Sequence, residues 1–372
     1  MMKHARKWKA YLGSIYLLLL LLITGCGATE LQTMSSTNGQ NTEETAEVSD
    51  TLKVHYLDVG QGDCTLIESQ GEYMLIDAGD NDKGTLVQSY LESQNITHLK
   101  YMIGTHPDSD HIGGMDVVLT KFDVDTVIMP DIENDTRTYD DVIQAMKYKN
   151  IQNTSPIPGQ QYRLGEASFT IIAPVHYDYG SNTNNYSVGL ILQHGNHRFL
   201  FTGDTEIEAQ KDILESGVDI SADVYKAAHH GSATAAYEPF LQAVNPKYTV
   251  ISCGEDNSYG HPHAEVLNWM RQNHVEIFRT DEQGTIVATS DGSTISWNMS
   301  SSETWHNGEP TQSDKEVLNT TQEYVLNLKT KKFHRTDCPS VETIHEENKE
   351  VSHKTRDALI KEGYDACGRC NP

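Results

Sequence analysis

The stretch Thr105-His106-Pro107-Asp108-Ser109-Asp110-His111-Ile112-Gly113-Gly114 constrains this chain more than any other. Four potential metal ligands (His106, Asp108, Asp110 and His111) fall within six residues, directly after the apolar run Tyr101-Met102-Ile103-Gly104. Mixed imidazole and carboxylate donors suit borderline divalent cations such as Zn²⁺ and Mn²⁺. On one tight loop, alternate residues can face one ion while their neighbours face another. Two ions about 3.5–4 Å apart can activate water and hold a phosphoryl or acyl oxygen. The bland alternative is a polar turn with a capping Asp, and the glycine pair and three later sites argue against it.

Phe199-Leu200-Phe201-Thr202-Gly203-Asp204 reads as a buried strand ending in a carboxylate placed to bridge two ions. Tyr225-Lys226-Ala227-Ala228-His229-His230-Gly231-Ser232 is a second strand ending in histidines, and Tyr259-Gly260-His261-Pro262-His263 sets a further imidazole on a loop before the helical stretch 264–272. Taken singly, each His is more often a surface or capping residue. Together they fall at strand ends, where the sites of α/β proteins gather.

The text around these sites alternates in type. Leu52–Val59, Cys64–Ile67, Tyr73–Asp77 and Tyr101–Gly104 read as strands, with a helical stretch near 85–93, and the alternation runs to Trp297. This places residues 51–298 in the mixed α/β class. The ordered blocks Asp58-Val59-Gly60-Gln61-Gly62-Asp63, Leu75-Ile76-Asp77-Ala78-Gly79, His106 to Gly114, Thr202-Gly203-Asp204, His229-His230-Gly231-Ser232 and Gly260-His261-Pro262 resemble the metallo-β-lactamase fold superfamily. More narrowly they look like its ComEC-type branch, named for the extracellular hydrolase domain of a DNA-uptake channel protein. The resemblance implies an αββα sandwich with a two-metal site at one edge of the sheets.

Two departures from the superfamily pattern bear on the metal. Asp108 stands where the usual His-x-His-x-Asp-His loop has its second His, and Asn184-Asn185-Tyr186-Ser187 stands where an isolated His usually precedes the bridging Asp. The ComEC-type branch shares both. One ion then has a more oxygen-rich shell, which favours Mn²⁺ relative to Zn²⁺ without deciding between them. His176 and His194 are candidates for the missing ligand, though ordinary loop positions suit them better.

By position in the resemblance, His106, Asp108 and Asp204 are assigned to one ion, and Asp110, His111, Asp204 and His261 to the other. Asp77 is expected to orient the His106 loop rather than bind metal. His229 or His230 completes the metal shell or donates to the leaving oxygen, and Ser232 with the Gly231 N–H contacts a phosphate. The expected nucleophile is a hydroxide made available by the two ions, which lower the pKa of bound water to about 7. Cys64 and Cys253 read as small buried residues.

The C-terminal residues 320–372 form a separate unit after a polar linker at 299–319. His334-x₃-Cys338 paired with Cys367-x₂-Cys370 is a tetrahedral zinc set, and a unit of this size needs such a staple; an extracellular disulfide is the alternative. The segment resembles the small zinc-binding domain of Ada-type DNA-repair proteins, with His334 in place of that domain's first cysteine. A saturated Cys₃His site has no open position, so the zinc is expected to be structural, and methyl acceptance is not implied.

At the other end, Lys3, Arg6, Lys7 and Lys9 precede the apolar run Tyr11–Ile23 and then Leu22-Ile23-Thr24-Gly25-Cys26. The run is shorter than the ~20 residues a transmembrane helix needs. It resembles a bacterial lipoprotein signal, implying cleavage after residue 25, lipid on Cys26 and an extracytoplasmic, membrane-anchored protein. Residues 26–50, rich in Thr, Ser, Asn, Gln and Glu, read as a disordered tether.

The net charge of −25 comes from 28 Lys and Arg against 53 Asp and Glu. It falls almost wholly on the hydrolase-like body. This argues against a protein that coats polyanions, whose affinity comes from Lys and Arg. The expected function is a metal-dependent hydrolase with two divalent ions (Zn or Mn) and one structural Zn, a phosphodiesterase or nuclease acting on DNA or RNA. A cell-envelope phosphoesterase of choline-phosphate type, a lactone or β-lactam hydrolase, and a noncatalytic envelope binding protein are the alternatives. Lys329, Lys331, Lys332 and Arg335 mark a module edge suited to presenting a polyanionic substrate, or equally a solvated lysine-rich hairpin. No protein partner is expected.

Overall fold

The computed structural model describes residues 51–308, 323–336, 338–354, 356–367 and 370. The signal segment, Cys26, the tether, and positions 309–319 of the expected linker lie outside the described residues. No described helix is long and apolar enough to cross a membrane.

The strands run in chain order as β1 Leu52–Tyr56, β2 Thr65–Ser69, β3 Glu72–Ile76, β4 His98–Ile103, β5 Asp123–Ile128, β6 Asn153–Thr154, β7 Gln161–Leu164, β8 Ala167–Ala173, β9 Gly189–His194, β10 His197–Phe201, β11 Val224–Lys226, β12 Tyr248–Ile251, β13 Glu276–Arg279, β14 Ile286–Ser290 and β15 Ile295–Trp297. One sheet has the order β15-β14-β1-β2-β3-β4-β5-β6, and a second has β13-β12-β11-β10-β9-β8-β7.

Period-two alternation explains why two sheets form and stack. In β3, Met74 and Ile76 enter the core between the sheets, while Leu75 faces the other way. The intersheet core gathers Val54, Tyr56 and Ile103 from the first sheet with Phe169, Leu190, Phe199 and Phe201 from the second. The outer face of the first sheet is covered by the helices Gly84–Ser93, Met115–Lys121 and Arg137–Lys149, through Val87, Leu91, Met115, Val118, Val142 and Met146. The second sheet is covered by Ile207–Glu215, Glu238–Val244 and Ala264–Gln272, through Ile213, Phe240, Leu267 and Met270. These four layers are the αββα sandwich expected from the sequence.

Each sheet mixes directions. β1, β2 and β3 are antiparallel neighbours, whereas β3, β4 and β5 run parallel, as do β10 to β13. Parallel strands expose their C-terminal ends on one side, and the loops after β3, β4, β10 and β11 carry Asp77, the His106–His111 segment, Asp204 and His229-His230.

The sequence reading ended this domain at residue 298, but packing continues further. Met299 leans on the intersheet core, Ser302 N donates to Ile277 O at 2.7 Å, and the Trp305 ring lies 4.7 Å from the Arg271 guanidinium carbon. Gly308 N then donates to Pro262 O at 3.2 Å. The polar composition of 299–308 hides these anchors.

The C-terminal unit has its own four-stranded sheet, from β16 Tyr324–Asn327, β17 Lys332–Arg335, β18 Lys349–Ser352 and β19 Asp365–Ala366, ordered β18-β16-β17-β19. Its core is small: Tyr324, Leu326, Phe333, Leu359 and Tyr364. So little buried area gives limited hydrophobic stabilisation, which is why a metal staple suits this unit.

Candidate metal centre

The site starts with Asp77, fully buried after β3 and in the left-handed region at φ 57°. Its Oδ1 accepts from Thr105 N at 2.8 Å, and its Oδ2 accepts from Thr105 Oγ1 and pairs with His111 Nδ1, both at 2.8 Å. Both carboxylate oxygens are thus engaged by Thr105 and His111. With Nδ1 so held, His111 turns Nε2 toward Asp204 Oδ2, 3.2 Å away.

Asp204 is presented from the opposite sheet. Its own N–H donates to Ser187 Oγ at 3.0 Å. Its Oδ2 also lies 3.3 Å from His230 Nε2 and 3.8 Å from His229 Nε2, so one carboxylate faces three imidazoles. Gly203 holds φ 51°, and a Cβ there would stand 2.8 Å from Ser187 Oγ.

The two adjacent histidines are separated by an unusual backbone. His229 and His230 both adopt left-handed dihedrals, at φ 50° and 54°, followed by Gly231 at 79°. Each non-glycine residue there costs about 1–2 kcal/mol, which such sites retain for geometry. His230 is buried, with Nδ1 near Ser252 O (3.0 Å) and Asp63 Oδ1 (3.2 Å), and Nε2 3.2 Å from Asp110 Oδ2. His229 is partly exposed, with Nδ1 between Thr234 Oγ1 at 3.1 Å and Glu206 Oε1 at 3.3 Å.

His106 is buried, its Nδ1 3.1 Å from Thr105 Oγ1 and its ring centroid 4.2 Å from that of His111. Asp108 is more exposed, 3.9 Å from His106 Nε2, with Thr183 Oγ1 donating to its Oδ1 at 2.8 Å. His261 is buried, its ring centroid 5.6 Å from His229 and 5.9 Å from His230, with Asn257 bracketing its backbone N–H and C=O at 3.0 and 2.7 Å. Ser232 turns its hydroxyl to cap the next turn, accepting from Thr234 N at 3.3 Å. The structure thus brings His106, Asp110, His111, Asp204, His229, His230 and His261 into one neighbourhood, with Asp108 at its exposed edge and the Ser232 hydroxyl engaged in its own turn.

His176 and His194 do not join them. His176 pairs with Asp178 and with Asp212 at 3.1 Å, and His194 Nδ1 sits 3.0 Å from Ser290 Oγ. Where the superfamily pattern has its isolated His, Asn185 instead accepts from Glu206 N at 2.9 Å. Cys64 and Cys253 are buried free thiols.

Sequence reasoning missed Asp63 and Lys226. Asp63 belongs to a buried group with His111, Asp204 and His230 whose ligand atoms lie within 4.8 Å of one another. Lys226 Nζ, itself buried, lies 2.8 Å from Asp63 Oδ2. The Asp58–Asp63 motif was the available signal. Its glycine has a steric reason, because a Cβ on Gly62 would meet Asp110 O at 2.3 Å.

The group fits a cation. Buried His106 Nε2 and Asp204 Oδ1 have no hydrogen-bond partner, and His111 Nε2 and His230 Nε2 face only carboxylates, a costly arrangement unless a cation satisfies them. Burial opposes charge on His111 and His230, yet Asp204 with Asp77 or Asp63 holds both imidazoles well above their ordinary range. Burial likewise opposes charge on Asp204, but the three histidines hold it well below the carboxylate range. His261 is pushed down to about 2, by burial first and then by neighbouring imidazoles. A divalent cation displaces protons from such a group and takes its imidazoles neutral.

A second group, His334, Cys338, Cys367 and Cys370, also has ligand atoms within 4.8 Å of one another, and His334 Nδ1 is buried without a partner. This chemistry suits a second ion of the structural type.

The chain is similar to ComE operon protein 3 of Bacillus subtilis, 30% identical over 256 residues, covering 63% of this chain and 32% of that protein. It is similar to Recombination protein 2 of Haemophilus influenzae, 28% identical over 241 residues, covering 63% and 28%. It thus spans about a third of the length of the curated relatives it matches. Among solved structures, Igni18, a metallo hydrolase from Ignicoccus hospitalis, gives a TM-score of 0.41 at 14% identity, covering 64% of this chain and 98% of that one. The metallo-beta-lactamase superfamily model matches residues 57–255, more than half of the chain, and the chain belongs to that superfamily.

Proposed function

We propose that this metal-dependent hydrolase is a phosphodiesterase acting on DNA or RNA, working outside the cytoplasm and tethered through lipid on Cys26. The observation that carries the hydrolytic reading is the convergence of His111, His230 and His229 on the one Asp204 carboxylate, within 3.2–3.8 Å. The nucleic-acid part leans on relatives whose names are Recombination protein 2 and Competence protein ComA.

Metal ions bound here supply Lewis-acid activation of water and neutralise the phosphoryl oxygens. The chain's own residues divide the remaining work. Asp63, His111, Asp204 and His230, with His106, Asp110, Asp108 and His261 around them, are the proposed ligands. Asp77 holds His111 in one tautomer, with its proton on Nδ1. His230 is enclosed by three carboxylates and suits metal binding, whereas partly exposed His229, backed by Glu206, suits proton donation. Water adds to phosphorus and releases a proton to solvent, the bond to the leaving oxygen breaks, and His229 protonates that oxygen and is reprotonated from solvent.

The full-length chain in detergent, loaded with Mn²⁺ or Zn²⁺, should turn over bis-p-nitrophenyl phosphate and single-stranded DNA but not a β-lactam. No turnover with the site metal-loaded sinks the reading. The net charge of −25 favours a second reading, a phosphodiesterase for small envelope esters, which the same assay separates by activity on the small ester alone.

A further inference from the structure

A cleft of about 370 Å³ lies beside the metal centre, reached through His229 and His261, and is lined by both the hydrolase domain and the C-terminal module. His229, Ser232, Tyr259 and His261 line one side, and Lys332, Ile360, Tyr364 and Asp365 of the C-terminal module line the other.

We infer that the zinc module is the outer wall of the substrate pocket, and that Lys332 is a specificity-determining residue admitting one nucleotide-sized phosphoester unit at a time. This rests on the hydrolase reading and deepens it.

Three observations carry the inference. The first is size: ligand pockets run from about 300 to 1,000 Å³, so this one is at the small end and suits a single nucleotide unit. The second is charge. Lys332 is an exposed cation on the cleft, while Glu206, Glu265 and Asp365 are also among its lining. Arg356, the other cation of the lining, is buried, so Lys332 is the exposed cation there, and one exposed cation among carboxylates accepts one anionic group and repels a run of them. Exposed Tyr259 adds a flat apolar face, stacked on His261 with centroids 5.5 Å apart. The third is how the wall is held. β17 and β19 pair in parallel with Lys332 opposite Asp365, and the candidate zinc ligands His334 and Cys367 follow on those two strands. Zinc at that cluster thus fixes the register of the residues facing the cleft. A nucleic acid would enter by its end, which makes the cleavage exonucleolytic.

The test uses the full-length, metal-loaded chain. Lys332→Ala should raise KM for thymidine 5′-monophosphate p-nitrophenyl ester about 10-fold, as expected for a lost charge-assisted contact, with kcat within twofold. Calorimetry should show thymidine monophosphate binding about 10-fold more weakly, and Lys332→Arg should restore both. Linear single-stranded DNA should be degraded and a covalent circle of the same sequence spared. Unchanged KM and affinity in Lys332→Ala, or equal cutting of circle and linear strand, overturns the inference. If the unsubstituted chain turns over no phosphoester, the hydrolase reading fails instead. The calorimetric comparison still judges the pocket, because binding needs no turnover.

Discussion

Lys226 Nζ and Asp63 Oδ2 lie 2.8 Å apart with both side chains buried, an ion pair between a strand of one sheet and a turn of the other. Burial alone would raise the Asp63 carboxyl, but Lys226, then His230, bring it down to about 2. The lysine therefore keeps a negative group beside His230. Replacing Lys226 by Met leaves that buried carboxylate with His230 alone and should cost about 3–5 kcal/mol. Lys226→Met combined with Asp63→Asn should recover part of the loss. Urea unfolding of the two variants decides it: a double variant less stable than the single contradicts this assignment.

The Asp77 carboxylate touches Thr105 and His111, and its contact to a bound cation is only through the imidazole it holds. Asp77→Asn should weaken metal affinity about 10–100-fold, measured by chelator competition, and leave the circular dichroism spectrum unchanged. Affinity within twofold of the parent would remove Asp77 from the site.

These two residues also separate what the sequence disclosed from what it did not. Asp77 was legible because it ends an apolar strand, and His106, Asp204 and His230 were legible for the same reason. Asp63 was not, since an Asp after glycine in a tight turn reads as turn chemistry. Lys226 was not, because its partner lies far away along the chain and only the stacking of the two sheets brings them together. The roles of His229 and His230 stayed ambiguous from sequence because strand alternation stops at their left-handed backbone, where no spacing rule assigns faces. Packing beyond 298 leaves no mark in composition, because Met299 and Trp305 anchor an otherwise polar stretch.

His55 offers a pH test away from the metal. It is buried beside the Tyr90 hydroxyl, 2.8 Å from Nδ1, with Lys53 and Glu68 the charges acting on it. Burial chiefly, opposed by Glu68, lowers its pKa from 6.5 to about 4. The unfolded chain then binds the proton more readily, so this contribution is complete above pH 6.5 and shrinks as pH falls toward 4. Denaturant midpoints should fall over that interval by the equivalent of about 2–3 kcal/mol more in the parent than in His55→Phe, which cannot protonate. Equal slopes would rule it out.

The module's small apolar core predicts strong dependence on its cysteines. Cys367→Ser should remove one equivalent of zinc and release amide protection in β17 and β19, while β4 and β10 keep theirs. Mass-spectrometric hydrogen exchange with metal analysis checks this. Retained protection in β19 with zinc gone would show that the protein fold alone suffices.

His106, Asp110 and His111 follow strands of one sheet, and Asp204 and His230 follow strands of the other. A cation held between them is therefore a rivet through the sandwich. Sliding one sheet past the other by a single residue moves donors by about 3.3 Å, whereas coordination tolerates only about 0.2 Å. Metal affinity then becomes a gauge of intersheet alignment, sensitive to shear far too small to unfold the chain. Phe199 and Val54, buried between the sheets, are where that gauge should first be seen to move.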